Sequence, residues 1–544
     1  MTEGESGKHG TTPNASSRRT VSPGSARLVA RLASSHNPPA DSFPLVPPLV
    51  AAMRRRLRLA LLTLPLLALA ACTTNPATGK QSFTAFMSQE DELRVGREEH
   101  PKMVKEFGGA YGDAKLRAYV KRVGLKLAAV SEEPGLAFTF TVLNDDKVNA
   151  FALPGGYVYL TRGILALAEN EAEMAGVIAH EIGHVAAHHT AERYSATMAA
   201  NLGLMALDIL GSSAGLPSGF GQIAGFGAQA ALMGYSRDQE LEADMLGVRY
   251  MIRAGYDPKA MNTFFVKMEA HAELETAMTG KQADGPVNNI MATHPRTADR
   301  IRQAIGLANV RAAALPVTAR DEYLGEIDGM VFGDDPAQGV RKGRLFVHPD
   351  LRVAFEAPPG FTLFNSPRQV IGRGPRQSLL IFDMGNEKTA RETGRMAQYL
   401  TRRWAANLRL SGVETIDING MEAATGQARV STKNGQRDIR LIAIRGGPDR
   451  IFRLAFVTLP EATRQMNEDL RRTTYSFRRL SEAEAKAIRP LRLKVTTVVA
   501  GDTPERLAQG IPWPEFRLRW FEVLNGLRPG EMPPVGGRVK TVTE

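Results

Sequence analysis

The segment Val177 to His188 reads VIAHEIGHVAAH, and three of its residues, His180, Glu181 and His184, have types and spacing that suit metal-assisted hydrolysis. At 3.6 residues per turn, positions four apart lie about 40° from one another around a helix, so both imidazoles project from one face and can grip a single ion. Zinc accepts neutral imidazole nitrogen and, in catalytic sites, takes three protein ligands plus water, so this pair needs one more ligand from elsewhere. Glu181 then stands beside the water, where a carboxylate takes its proton. The surroundings read as a helix running inward. Glu169, Glu171 and Glu173 suit its positive end, and Met174, Ala175, Val177 and Ile178 follow. Polar groups in so apolar a run are costly unless they bind something.

Other elements must position that helix. Ser88, followed by Glu90, Asp91 and Glu92, reads as an N-cap with an acidic first turn, and Leu116, Tyr119, Val120, Val123 and Leu127 follow helical spacing. Phe138 to Leu143 alternates as a strand, and Val148 to Leu160 reads as an extended element turning at Pro154-Gly155-Gly156. A strand just ahead of a metal-binding helix can pair its free edge with an extended peptide, which makes Asn149, Ala150, Phe151 and Ala152 the candidate substrate strand; an ordinary core hairpin is the other reading. Met198 to Gly234 is rich in Ala, Gly, Leu and Met and broken by glycines. It reads as a buried helical pair, with a lid or a membrane-dipping hairpin as alternatives.

Tyr235 to Asp244, YSRDQELEAD, supplies acidic candidates for the missing ligand. HEIGH followed by this stretch resembles the M48 family of zinc metalloendopeptidases, whose pattern is HExxH and a later ExxxD on another helix. The resemblance implies one zinc ion per chain, held by His180, His184 and Glu240, with Asp244 supporting the site from behind. Glu242 competes with Glu240 but lies about 200° around the helix from it. Thr293-His294-Pro295 and Arg300 also match the family, whose His-Pro step borders the catalytic cleft. His294 would steady the oxyanion or swing onto the zinc as a self-inhibiting ligand, and Arg300 would hold substrate or developing charge. A surface turn capping a helix from Arg296 to Ile305 is the plainer reading. His188 and His189 match no family ligand and read as solvated or structural.

The chain of 544 residues carries a formal net charge of +11 and 43% hydrophobic residues, enough for several domains. Residues 1–52, rich in Ser, Pro, Gly and Arg, read as disorder or as an extension ahead of a true start at Met53. Residues 53–72 look like a secretory signal. Arg54, Arg55, Arg56 and Arg58 precede an apolar run from Leu59 to Leu69, too short to span a bilayer. Leu69-Ala70-Ala71-Cys72 resembles the lipobox of bacterial lipoproteins, which implies lipidation of Cys72 and a membrane anchor. Thr73 stands where an aspartate would resemble an inner-membrane retention signal, so the periplasmic side of the outer membrane is expected under enterobacterial-type sorting. Cys72 is the only cysteine, so no disulfide forms within one chain.

The fold class expected is α+β. A mostly helical zincin-type domain with a small sheet spans 73–310, and the M48 resemblance covers most of it. An α+β domain spans 318–485, with strands at Phe346 to Ala357, Ser378 to Met384, Ala428 to Ser431, Asp438 to Arg445 and Ile451 to Leu459. Its expected helices are Thr389 to Leu408 and Glu461 to Thr474. No constellation of catalytic residues stands out there, and its arginines suit anionic lipid or a solvated face. Residues 490–544 resemble a LysM-like module through Val498 to Thr503, Val523 to Leu527 and Gly536 to Lys540, interrupted at Ile511-Pro512-Trp513-Pro514. That implies contact with peptidoglycan; a closing structural βαα cap is the alternative. No nucleic-acid module is present, so the charge points to the envelope surface. The family resemblance implies unfolded or misassembled envelope proteins as substrates, the outer-membrane assembly machinery as a partner, and a chaperone-like holding activity. A zinc-stabilised scaffold and a cell-wall amidase are the rival readings.

Overall fold

The computed structural model describes residues 72–75, 77–198, 234–279, 294, 316–386, 391, 394–432 and 435–544. The signal-like stretch before Cys72, most of 198–234, Arg300 and the helix expected over Arg296 to Ile305 lie outside the described residues.

Two short strands, β1 (Cys72–Thr74) and β2 (Gln81–Phe83), pair antiparallel ahead of helix α1 (Gln89–Glu106). Ser88 caps α1 in a capping box with Asp91. Helix α2 (Ala114–Ala128) buries Leu116, Tyr119, Val120, Val123 and Leu127, the stripe its periodicity predicts. Strands β3 (Thr139–Leu143), β4 (Ala150–Leu153) and β5 (Tyr157–Thr161) form a sheet of order β3-β5-β4, with β3 parallel and β4 antiparallel to β5. The turn between β4 and β5 uses Gly155 and Gly156 at positive φ. β4 is therefore an edge strand, and all four of its residues are buried.

Helix α3 (Arg162–Leu167) follows, then α4 (Glu171–Ala186), which carries the HExxH residues and is buried along its whole length. Asn170 caps α4. At its first turn Glu171 accepts hydrogen bonds from the hydroxyls of Tyr119 (2.7 Å) and Tyr256 (2.5 Å). Glu173 accepts from Thr263 and pairs with Lys267. Residues 189–198 are again helical. Helix α5 (Arg237–Arg253), capped by Ser236, packs on α4, as does α6 (Lys259–Thr279). The first contact is close because it is glycine-lined. A Cβ on Gly183 would meet the Ala243 carbonyl at 2.9 Å, and one on Gly247 would meet His180 N at 3.2 Å. Helix α7 (Arg320–Ile327) completes this part.

Beyond it lie two sheets. One has the order β16-β8-β7-β6, from β6 (Val340–Lys342), β7 (Leu345–His348), β8 (Val353–Glu356) and β16 (Arg478–Arg479). The other has the order β12-β13-β14-β15-β11-β10-β9 and is antiparallel throughout. Its strands are β9 (Thr362–Asn365), β10 (Gln369–Arg373), β11 (Leu379–Met384), β12 (Ser411–Ile418), β13 (Met421–Thr432), β14 (Gly435–Gly447) and β15 (Arg450–Thr458). Two expectations are corrected. Phe346 to Ala357 is a hairpin rather than one strand, because Pro349-Asp350 and Arg352, at φ 53°, turn the chain. Of the helix expected over Thr389 to Leu408, the described residues keep α8 (Met396–Tyr399) and a π turn, Leu400–Trp404. Ala405 leaves helical dihedrals as its N–H bonds to the Leu400 carbonyl, and the segment packs with Ala424, Leu441 and Ala443 of the sheet. Helix α9 (Pro460–Ser476) packs against β8, β14 and β15.

The C-terminal stretch folds as strand, two helices, strand: β17 (Arg492–Thr497), α10 (Pro504–Leu507), α11 (Arg517–Leu524) and β18 (Arg538–Thr543), with β17 and β18 antiparallel. Its Leu493, Phe521, Leu524, Val539 and Val542 belong to the same core as Ile178 and Ile182 of α4. Buried Lys540 reaches back to the N-terminal half of the fold and donates to the carbonyls of Ala166 (2.7 Å) and Ala168 (2.7 Å) at the end of α3.

Candidate metal centre

α4 and α5 cross so that His180, His184 and Glu240 face one point, and His294 approaches from a third direction. One ligand atom from each of the four lies within 4.8 Å of all the others, and all four residues are buried. His180 Nε2 is 3.0 Å from His184 Nε2 and 3.3 Å from His294 Nδ1. Glu240 Oε1 is 2.7 Å from His294 Nδ1 and 3.4 Å from His184 Nε2. Three imidazole nitrogens and a carboxylate oxygen converging in a buried cluster are a donor set that suits zinc, so these residues fit a divalent ion. Burial alone would raise the Glu240 carboxyl, but the histidines around it outweigh that and hold it well below the usual carboxylate range.

Supporting residues surround the donors. Asp244, one turn beyond Glu240 on α5, places Oδ1 2.9 Å from His180 Nδ1, the nitrogen facing away from the cluster. Glu242 is turned aside and pairs with Lys80 at 2.8 Å. Glu181 is fully buried beside the cluster, with Oε1 3.7 Å from His294 Nε2. β4, which carries Ala150, Phe151 and Ala152, packs against α4, and Asn149 precedes it with its carbonyl bonded to Thr161. Cys72 opens β1.

Sequence reasoning missed two residues. Tyr235, just before the α5 cap, stacks on the His184 ring with centroids 3.8 Å apart, and its hydroxyl lies 3.2 Å from Thr190 Oγ1. Burial pushes that phenol up to about 12. The other is His189, whose Nδ1 lies 2.8 Å from His184 Nδ1. In a continuous helix, five residues on, it would point about 140° away. His188 at φ 51° breaks the helix and turns His189 back. His188 is itself no solvated residue. Glu92 Oε1 lies 2.9 Å from one ring nitrogen and Glu133 Oε1 3.3 Å from the other, and hydrogen bonds to Glu133 and Glu92 raise it to about 10. The neighbouring HH letters gave no sign of this division; it arises from the break between them.

A buried His/His/Glu centre with a glutamate beside it, on two packed helices, is the donor arrangement found in metallopeptidases. Residues 114–308 match Peptidase family M48, so this part of the chain is an M48 metallopeptidase domain. The chain is 28% identical over 250 residues to the beta-barrel assembly-enhancing protease of Escherichia coli (strain K12), covering 45% of this chain and 49% of that protein. It is 33% identical over 219 residues to a putative beta-barrel assembly-enhancing protease of Vibrio cholerae, covering 39% and 43%. With mitochondrial metalloendopeptidase OMA1 of Schizosaccharomyces pombe it shares 31% identity over 239 residues, covering 42% and 64%. The chain thus spans about half the length of the bacterial relatives.

Proposed function

We propose that this chain is a zinc-dependent endopeptidase acting on unfolded or misassembled proteins of a bacterial envelope. The observation that carries the reading is the convergence of His180, His184 and Glu240 with Glu181 buried alongside. Zinc, when bound by those three residues, supplies Lewis acidity to the site. Glu181 takes the proton of the attacking water and returns it to the leaving amine, and Asp244 holds the His180 ring by its outer nitrogen. The unpaired edge of β4, from Ala150 to Ala152 with Asn149 ahead of it, receives the substrate in extended form, and Arg300 holds its backbone or the developing charge. His294, already within the donor cluster, would help to hold the ion in the resting state and would give way to substrate. Its 2.7 Å approach to Glu240 supports that self-inhibiting role over oxyanion binding in this state.

The substrate class draws on the bacterial relatives, named for enhancing β-barrel assembly. Anchoring through a lipidated Cys72, a position at the outer membrane, contact with its assembly machinery, and peptidoglycan binding by residues 490–544 complete the reading. Among the described residues, no helix is long and apolar enough to cross a membrane. Casein cleavage by a soluble form beginning after Cys72, beside Glu181→Gln with its zinc content measured, tests the mechanism. Loss of cleavage by about 10²–10⁴-fold with zinc retained is expected. Equal cleavage by both proteins would sink the base assignment. Silence of both, with zinc bound and even after His294→Ala, would favour the scaffold, and peptidoglycan turnover would favour the amidase.

A further inference from the structure

We propose that His189 is a positioning residue for the metal centre: it accepts a hydrogen bond from His184 Nδ1–H and so fixes His184 in the tautomer that can bind the ion. The inference rests on His184 being a metal ligand, as argued above. Neutral imidazole carries one N–H, so a ring that offers Nε2 to a metal must bear its proton on Nδ1. His184 Nε2 faces the donor cluster, and its Nδ1 faces His189 Nδ1 at 2.8 Å. A single proton therefore lies between the two Nδ1 atoms. Held by His184, it leaves His184 Nε2 with a free lone pair for the ion. Held by His189, it puts the His184 proton on Nε2 and blocks ligation.

Ligation of the ion selects the first case, because only a His184 ring protonated on Nδ1 offers Nε2 to it. His189 is only 1% exposed, and a neutral ring there accepts at Nδ1 only as the tautomer protonated on Nε2. Its Nε2 is buried with no hydrogen-bond partner among the described residues. A buried N–H left in that state is costly, so nothing local holds the ring there except its contact with His184. Two further contacts set the geometry. Tyr235 stacks on His184 at 19° between ring planes, and the left-handed turn at His188, gripped by Glu92 and Glu133, aims His189 back at the centre. The two histidine ligands are thus supported unequally: His180 by the Asp244 carboxylate, His184 by a neutral ring.

The test uses the full chain and its zinc dissociation constant, measured by chelator competition, with the visible spectrum of the Co²⁺-substituted protein as a second readout. His189→Leu removes the acceptor, whereas His189→Asn sets an amide oxygen where Nδ1 was. Zinc binding is expected to weaken about 10–100-fold in the leucine variant, with a shifted Co²⁺ spectrum, and to stay within about threefold of wild type in the asparagine variant. Should the leucine variant fail to fold, His189→Gln, whose amide falls near the Nε2 place, stands in with the same expectation. Equal losses in the leucine and asparagine variants would mean packing alone and overturn the proposal, as would wild-type affinity in both. A wild-type chain that takes up no zinc overturns this proposal and the enzymatic reading together. One that binds zinc but cuts nothing sinks only the endopeptidase reading, since affinity and spectrum do not depend on turnover.

Discussion

Around α4 and α5 the apolar core encloses a cluster of paired ionisable side chains, while between the two sheets it is built from Phe346, Phe355, Phe382, Phe452 and Phe477 packed ring to ring. The first kind of core is conditional: His180, His184, Glu240 and His294 are well placed only while each keeps its partners, and an ion completes the set. The second is additive, since every ring removed subtracts its own burial. The region that carries the candidate metal centre is therefore the one whose stability depends on composition and conditions, and the sheet region should be indifferent to both.

The largest test of that contrast is Glu240→Gln. Zinc uptake and casein cleavage are expected to be lost, and hydrogen exchange should quicken in α4 and α5 while β13 to β15 stay protected. Slower exchange in the sheet but not in the helices on zinc addition would break the comparison. Phe382→Ala approaches from the other side. It should cost about 3–5 kcal/mol in the sheet core, read as a lower urea midpoint, without changing zinc affinity. A smaller effect is expected from His188→Gln, about 2 kcal/mol near pH 6 from the lost charged hydrogen bonds. The sign follows from the raised folded-state value: the stabilisation is complete below 6.5, the unfolded value, and fades as pH rises through about 10. Thermal midpoints of wild type and variant should therefore converge by about pH 11, and a gap that stays constant across that range would count against the double carboxylate clamp.

What the letters disclosed follows from which forces are local. The HExxH face, the ExxxD turn and the Ser88 cap depend on helical periodicity and on residues within one turn, so they are readable without the fold. The antiparallel sheet was legible from alternation, although Met421–Thr432 and Gly435–Gly447 run longer than the apolar letters suggest, because their exposed ends are polar. His189 was not legible, since its role depends on a helix break at His188 that no propensity signals. Nor was Tyr235, whose partner ring lies on another helix. The packing of Phe521 and Val539 into the core of α4 was hidden for the same reason: contacts across hundreds of residues leave no period to read.

Lys540 and the Ala168 carbonyl it holds are 372 residues apart in the chain. Closing a loop of that size is slow, and the core it completes stays open until the later strand has been delivered.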